Sequence, residues 1–243
     1  MKLEQEQRYY RIKEPIKDNN TPICQYMRLD YLFKLLETQK YYVNRKRFFL
    51  DKREKDYPEK LKYAIEYFPG DGLKTQPLEL QKTLSDNIRL YKEKAALLTA
   101  CWTLNQDENV LMWERGTAIK ACIKSTIGQF IASFDNNLNL YIWCGDIEYK
   151  SINQIKSWEE KLWYKQPCFQ AEKEFRFYFS KSLATLELDD YDLCKPYLFD
   201  INPKEMITEI VLDPNIDNVA ATTYKEMIQQ KYGIITKLSQ VDY

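Results

Sequence analysis

Apolar and polar positions alternate most regularly from Gln170 to Ser180, QAEKEFRFYFS. Side chains of a β-strand point to opposite faces in turn. Ala171, Lys173, Phe175, Phe177 and Phe179 then share one face, and Glu172, Glu174, Arg176 and Tyr178 share the other. The phenylalanine face belongs to a core. The opposite face sets two carboxylates, a guanidinium and a phenol in a row, roughly 6–7 Å per step. Such a row is either a solvated charge ladder or the floor of a site.

The rest of the chain follows similar patterns. Tyr9 to Ile12 reads as a short strand or a packed arm. Pro22 to Met27 has strand character. Leu29, Leu32, Phe33, Leu35 and Leu36 then recur at helical spacing, with Asp30 in the first turn. Tyr41 to Val43 is a second strand, so the chain opens strand–helix–strand. Asn44 to Lys60 is a charge-dense loop. Pro58 starts a helix that Pro69-Gly70-Asp71-Gly72 stops, and Leu78 to Ala96 is helical, which predicts a helical insert at about 58–96. Leu97 to Leu104 (LLTACWTL) reads as a central strand. A short helix follows at Asn109 to Arg115, a strand at Ala118 to Ile123, a helix at Thr126 to Phe134 and a strand at Leu140 to Tyr149. Met206 to Leu212 is a further strand. Val219, Thr223, Met227 and Ile228 form a helical face, and a last strand begins at Ile234. With no regular βαβ repeat, the order predicts one α+β domain over 1–243.

Composition narrows the chemistry. Lys+Arg and Asp+Glu both total 36, so general nucleic-acid binding is disfavoured. The chain has no histidine, which excludes a Ser-His-Asp triad, a Cys-His dyad and any histidine metal site. The six cysteines form no C-x-x-C pair, so no zinc cage is expected, and Cys101 and Cys168 read as inert core thiols. Lys165 is the cation nearest Cys168 in sequence. A carboxylate metal site at Asp51, Glu54 and Asp56 is weakly specified, and no metal is expected. The polar N-terminus has no signal-peptide core and no run reaches the length of a membrane span, so a cytoplasmic protein without membrane attachment is expected.

Several segments, taken in order, carry a resemblance. They include QYMRLDYLFKLLETQKYYV, ACWTLNQDENVLMWERGTAIKACIKSTIGQF, GDIEYKSI, KQPCFQAEKEFRFYF and MITEIVLDPNID. The distinctive pieces are Cys101-Trp102, the E-x-x-x-M-W element (Glu108, Met112, Trp113) and E-x-E-x-R (Glu172, Glu174, Arg176). Together they resemble the DUF2971 family of bacteria and phages, over roughly residues 20 to 240. The opening strand–helix–strand with a late E-x-E is also similar to the layout of ADP-ribosyltransferases. That likeness implies a split, mixed and mostly antiparallel β-sheet with flanking helices that holds NAD as substrate, in a toxin or phage-conflict effector.

The resemblance assigns roles. Glu174 would bind the nicotinamide ribose and Glu172 would deprotonate the acceptor. Thr99 or Thr103 would support the site from the middle strand. Gln25 stands where the DUF2971 pattern has a basic residue before Tyr26, and Arg28 lies nearby. The segment after Trp113 is short and lacks that family's frequent histidine. Read from the residues, Trp102 and Trp113 either stack on a ring or pack the core, and Arg176 either tunes the two carboxylates or only neutralises them. Arg45, Lys46 and Arg47 either meet a phosphate or form solvated surface. The alternative to an enzyme is a non-catalytic module that recognises a nucleotide-like molecule or a protein partner.

Overall fold

The computed structural model describes residues 10–12, 17–45, 97–134, 140–155, 160, 162–181 and 197–241. The expected helical insert at 58–96, Lys46 and Arg47, and the acidic trio Asp51, Glu54 and Asp56 lie outside the described residues.

In chain order the elements are β1 (Tyr10–Ile12), β2 (Pro22–Arg28), α1 (Leu29–Thr38), β3 (Lys40–Arg45), β4 (Leu98–Thr103), α2 (Val110–Glu114), β5 (Lys120–Thr126), α3 (Ile127–Ala132) and β6 (Leu140–Asp146). Then come β7 (Glu148–Tyr149), β8 (Tyr164–Lys165), β9 (Glu174–Lys181), β10 (Tyr197–Asp200), α4 (Pro203–Met206), β11 (Glu209–Leu212), α5 (Asn218–Tyr232) and β12 (Ile235–Leu238). The fold is α+β. One sheet runs β1-β6-β9-β4-β2-β5-β11-β12, with β3 joined to β4 and β10 joined to β3. It is mixed and mostly antiparallel, its parallel pairs being β1–β6 and β11–β12.

Local chemistry sets the element ends. Arg28 is the extended residue before α1, Asp30 sits in the first turn, and Gln39 turns left-handed (φ 53°) to launch β3. Leu29, Leu32, Leu35 and Leu36 are the buried stripe of α1. The Thr126 hydroxyl accepts from the Gln129 N–H at 3.2 Å and starts α3. Asp217 does the same for α5, and Gly233, at φ 68°, ends it.

The core lies on the phenylalanine face of β9. Phe175, Phe177 and Phe179 are fully buried there. Phe130 of α3 and Phe134 just beyond its end pack on them with tilted or edge-on rings, Phe130 lying 4.4 Å from Phe177 and 4.7 Å from Trp102. Each such contact contributes about 0.5–1.5 kcal/mol beyond area burial.

Two expectations need correction. The β9 strand begins at Glu174, not Gln170. Residues Pro167–Glu172 form a 3-10 helix and Lys173 is left-handed at φ 40°. Proline cannot donate a ladder hydrogen bond, and the end of this turn is held by side chains: the Thr103 hydroxyl donates to the Glu172 carbonyl (2.6 Å), and the Asn105 and Asn109 amides donate to the Ala171 carbonyl (3.0 and 3.2 Å). On α5, Val219 is 76% exposed and Met227 38%, while Ala221 and Ile228 are the buried residues. The helix is mainly polar, so small Ala221 and Tyr224, packed on Phe33 at 5.5 Å, set the inward face.

One feature of the sheet positions the site. β2 pairs with β5 over its whole length, from Pro22↔Thr126 to Arg28↔Lys120, yet pairs with β4 only at Cys24↔Thr103. At its other end β4 pairs with β3, at Asn44↔Thr99 and Arg45↔Leu98. The strands therefore part between these points. Gln25 bridges the parting: its amide donates to the Cys101 carbonyl at 3.0 Å, and its side-chain oxygen accepts from the Tyr41 hydroxyl at 2.8 Å.

Candidate functional site

The register of β4 against β9 sets Thr99, Cys101 and Thr103 opposite Tyr178, Arg176 and Glu174. This polar face is covered by the segment from Leu162 to Glu172, which turns the row into a buried network. Glu174 is 4% exposed and Arg176 fully buried. The Arg176 Nε donates to Glu174 Oε1, and its Nη2 donates to Oε2 at 3.3 Å. Lys165 Nζ donates to Glu174 Oε2 at 2.8 Å and to Glu172 Oε2 at 2.7 Å. Glu172 and Glu174 are thus brought together by a lysine, although only one of them is on the strand. The remaining donors are also used: Arg176 Nη1 donates to the Leu162 carbonyl (3.1 Å), to which the Tyr178 hydroxyl also donates, and the Glu174 N–H donates to the Tyr149 hydroxyl (2.6 Å).

Protonation follows from these contacts. Burial alone would raise the Glu174 carboxyl, but the adjacent Arg176 guanidinium, with Lys165 behind it, outweighs burial and holds it far below the usual carboxylate range. Burial would lower Lys165, but Glu174 and then Glu172 push it above the ordinary lysine range. Burial drives Tyr149 up to about 12, and it raises Tyr26 and Tyr178 further. Burial, with Glu174 beside it, also raises the Cys101 thiol well above its usual value. Cys101 is therefore no nucleophile at neutral pH. Cys168, expected in the core, is exposed, because Pro167 opens the 3-10 turn at the surface.

A pocket of about 590 Å³ opens beside the network, over the parted ends of β2 and β4. Its charged lining consists of Arg28, Arg115, Lys120, Lys165 and Arg176 against Glu172 and Glu174. Glu172 stands at the mouth, 17% exposed in its side chain, and meets Arg115 at 3.2 Å. Arg28 is exposed and pairs with Asp30 at 2.7 Å. Lys120 differs from the others. It is 8% exposed, its ammonium donates to the Trp113 carbonyl, and among the described residues it has no carboxylate partner. The N–H of the same residue is anchored by Asp213 Oδ2 at 2.9 Å.

The expected site residues fall in different places. Gln25, Tyr26, Arg28, Thr103, Glu172, Glu174 and Arg176 converge on this pocket. Thr103 acts through the backbone, by fixing the Glu172 turn. Trp102 borders the pocket but lies on the core face against Phe130. Trp113 is buried in a small cluster, edge-on to Tyr26 at 4.7 Å, with its ring N–H donated to Glu108 at 3.2 Å. Core packing is thus what both tryptophans do. Thr99 lines an adjoining cavity instead. The motifs of the sequence do not include Lys120 or Arg115, and Lys165 stands out there only beside Cys168. A single lysine in the otherwise apolar AIKACI strand was the available signal for Lys120. Nothing local marks Lys165, whose partners are set by the fold.

No family model and no curated protein matches the chain. Among the described residues no group of three or more His, Cys, Asp or Glu is placed to hold a metal, and no helix is long and apolar enough to cross a membrane.

Proposed function

We propose that the pocket in the parted sheet binds a small, phosphate-bearing, nucleotide-like molecule. The observation that carries this reading is the charge of the lining, in which five cations meet two carboxylates. Lys120 is decisive among them, being buried with no carboxylate partner among the described residues. A buried ammonium without a counter-charge is costly. A phosphate between Lys120 and Arg115 supplies that charge through charge-assisted hydrogen bonds. Glu174 and Arg176 saturate one another, so their role in this reading is to fix Lys165.

NAD is the ligand of this class that the ADP-ribosyltransferase resemblance names, and membership of the DUF2971 family is part of the same proposal. A second, catalytic reading is favoured by one contact: Lys165 is shared by Glu172 and Glu174. A ligand phosphate that draws Lys165 and Arg115 away frees Glu172 for the acceptor proton and opens Oε2 of Glu174, which Arg176 still holds, to the ribose hydroxyls. Calorimetric titration with NAD and ADP tests the first reading. Both bind the wild type, and Lys120→Met weakens both at least tenfold, since a hydrogen bond to a charged group contributes about 1.5–3 kcal/mol. Unchanged affinity in that variant overturns it. Nicotinamide release by the wild type that Glu172→Gln abolishes establishes the catalytic reading, and binding without release leaves the non-catalytic module.

A further inference from the structure

A second cavity, of about 430 Å³, lies on the β3 side of the parting and shares Gln25, Tyr26, Met27, Asn44 and Cys101 with the charged pocket. Its chemistry is different. Tyr31 of α1 and Tyr42 of β3 stand in its wall, 51% and 49% exposed. Their rings are close to parallel, 24° between planes, with centroids 6.2 Å apart. Each ring covers one face of the other, and the half-exposed Tyr42 offers its outer face for stacking. The Arg28 guanidinium, part of the charged pocket, sits 4.9 Å from the centre of the Tyr31 ring, so cations and aromatic pair adjoin.

This cavity is also lined by a buried polar group, Thr99. Thr99 is 3% exposed, and among the described residues its hydroxyl has no hydrogen-bond partner. Buried hydroxyls are nearly always paired, and leaving one unpaired costs free energy. One outer ring face and one unsatisfied buried hydroxyl match the needs of a planar heteroaromatic group: a surface to stack on and one edge contact.

We infer that this cavity is the subsite for the heteroaromatic end of the phosphate-bearing ligand. Tyr42, backed by Tyr31, stacks on the ring, the Thr99 hydroxyl contacts its edge, and Gln25 lies at the waist between ring and phosphates. The inference rests on the phosphate-binding reading of the neighbouring pocket and adds the ligand's other half.

The test uses three probes: ADP, pyrophosphate and adenosine. Each is titrated into the wild type, Tyr42→Ala and Thr99→Val. The wild type binds ADP more tightly than pyrophosphate. Tyr42→Ala weakens ADP about tenfold, the scale of one stacking contact, and leaves pyrophosphate unchanged. Thr99→Val keeps the side-chain shape, lowers ADP affinity several-fold and does not lower the melting temperature, since it removes an unpaired buried hydroxyl. Equal affinity for ADP and pyrophosphate, or ADP affinity untouched in both variants, overturns the inference. Adenosine binding that Tyr42→Ala weakens, with pyrophosphate failing to bind, supports the ring subsite and overturns the phosphate reading. Failure of all three probes to bind the wild type overturns both.

Discussion

Replacing Glu174 with Gln removes the charge on which two buried cations depend. Arg176 is fully buried and the Lys165 side chain is 8% exposed. After the change Lys165 still meets Glu172, but Arg176 faces an amide in place of a carboxylate. Stranding one member of a buried ion pair costs about 3–5 kcal/mol. For a chain of this length each kcal/mol lowers Tm by roughly 2–4 °C, so a drop of roughly 6–20 °C is expected. Thermal unfolding of the variant measures the drop, and urea unfolding the loss of free energy. A second change, Arg176→Met, restores much of the loss, because the uncompensated charge then goes as well. The Leu162 carbonyl keeps the Tyr178 hydroxyl as a donor in that double variant. A loss below about 1 kcal/mol, the scale of a surface pair, refutes the reasoning. It would mean that water reaches the network. The prediction also bears on enzymology: lost activity in Glu174→Gln mixes chemistry with folding, whereas Glu172, at the pocket mouth, can be changed more safely.

Other predictions follow from the same contacts. Phe130 touches Tyr41, Trp102, Phe134 and Phe177 within 5.3 Å between ring centres, so Phe130→Ala lowers stability by about 3–5 kcal/mol in urea. Asp217 accepts from the Val219 and Ala220 N–H groups at 2.9 and 3.2 Å, and Asp217→Ala costs about 1 kcal/mol by the same measurement. Glu174 holds its proton less tightly folded than unfolded, so its stabilisation is complete above the ordinary value of 4.5 and is lost as pH falls through its depressed folded value. The urea midpoint therefore declines below about pH 4.5, and less steeply in Glu174→Gln. Lys165 contributes in the opposite sense: its share is complete below 10.5 and is lost as pH rises through its raised folded value.

The strand order of local signals was largely legible in the sequence. The Leu stripe of α1, the apolar run of β4 and the triple phenylalanine of β9 each carry their own period. Their order, without a βαβ repeat, carried the α+β class, whereas the mixed, mostly antiparallel sheet was implied by the resemblance. The polar row of β9 was read correctly for Glu174, Arg176 and Tyr178. It failed at Glu172, because Thr103, Asn105 and Asn109, distant in sequence, take the carbonyls of the turn before it. The inward face of α5 was misread for a related reason. A polar helix gives a weak period, and packing against Phe33 decides which side turns in. Lys165 and Lys120 show the limit most clearly. Their meaning lies in the partners that tertiary structure supplies or withholds, and no window of sequence contains those partners.

The most direct measurement of the central claim is a crystal structure of the protein grown with ADP. Phosphate density is expected within hydrogen-bond distance of Lys120 Nζ and the Arg115 guanidinium, over the parted ends of β2 and β4, with Glu174 still held by Arg176. Phosphates bound elsewhere on the molecule, with this pocket holding only water, would contradict it.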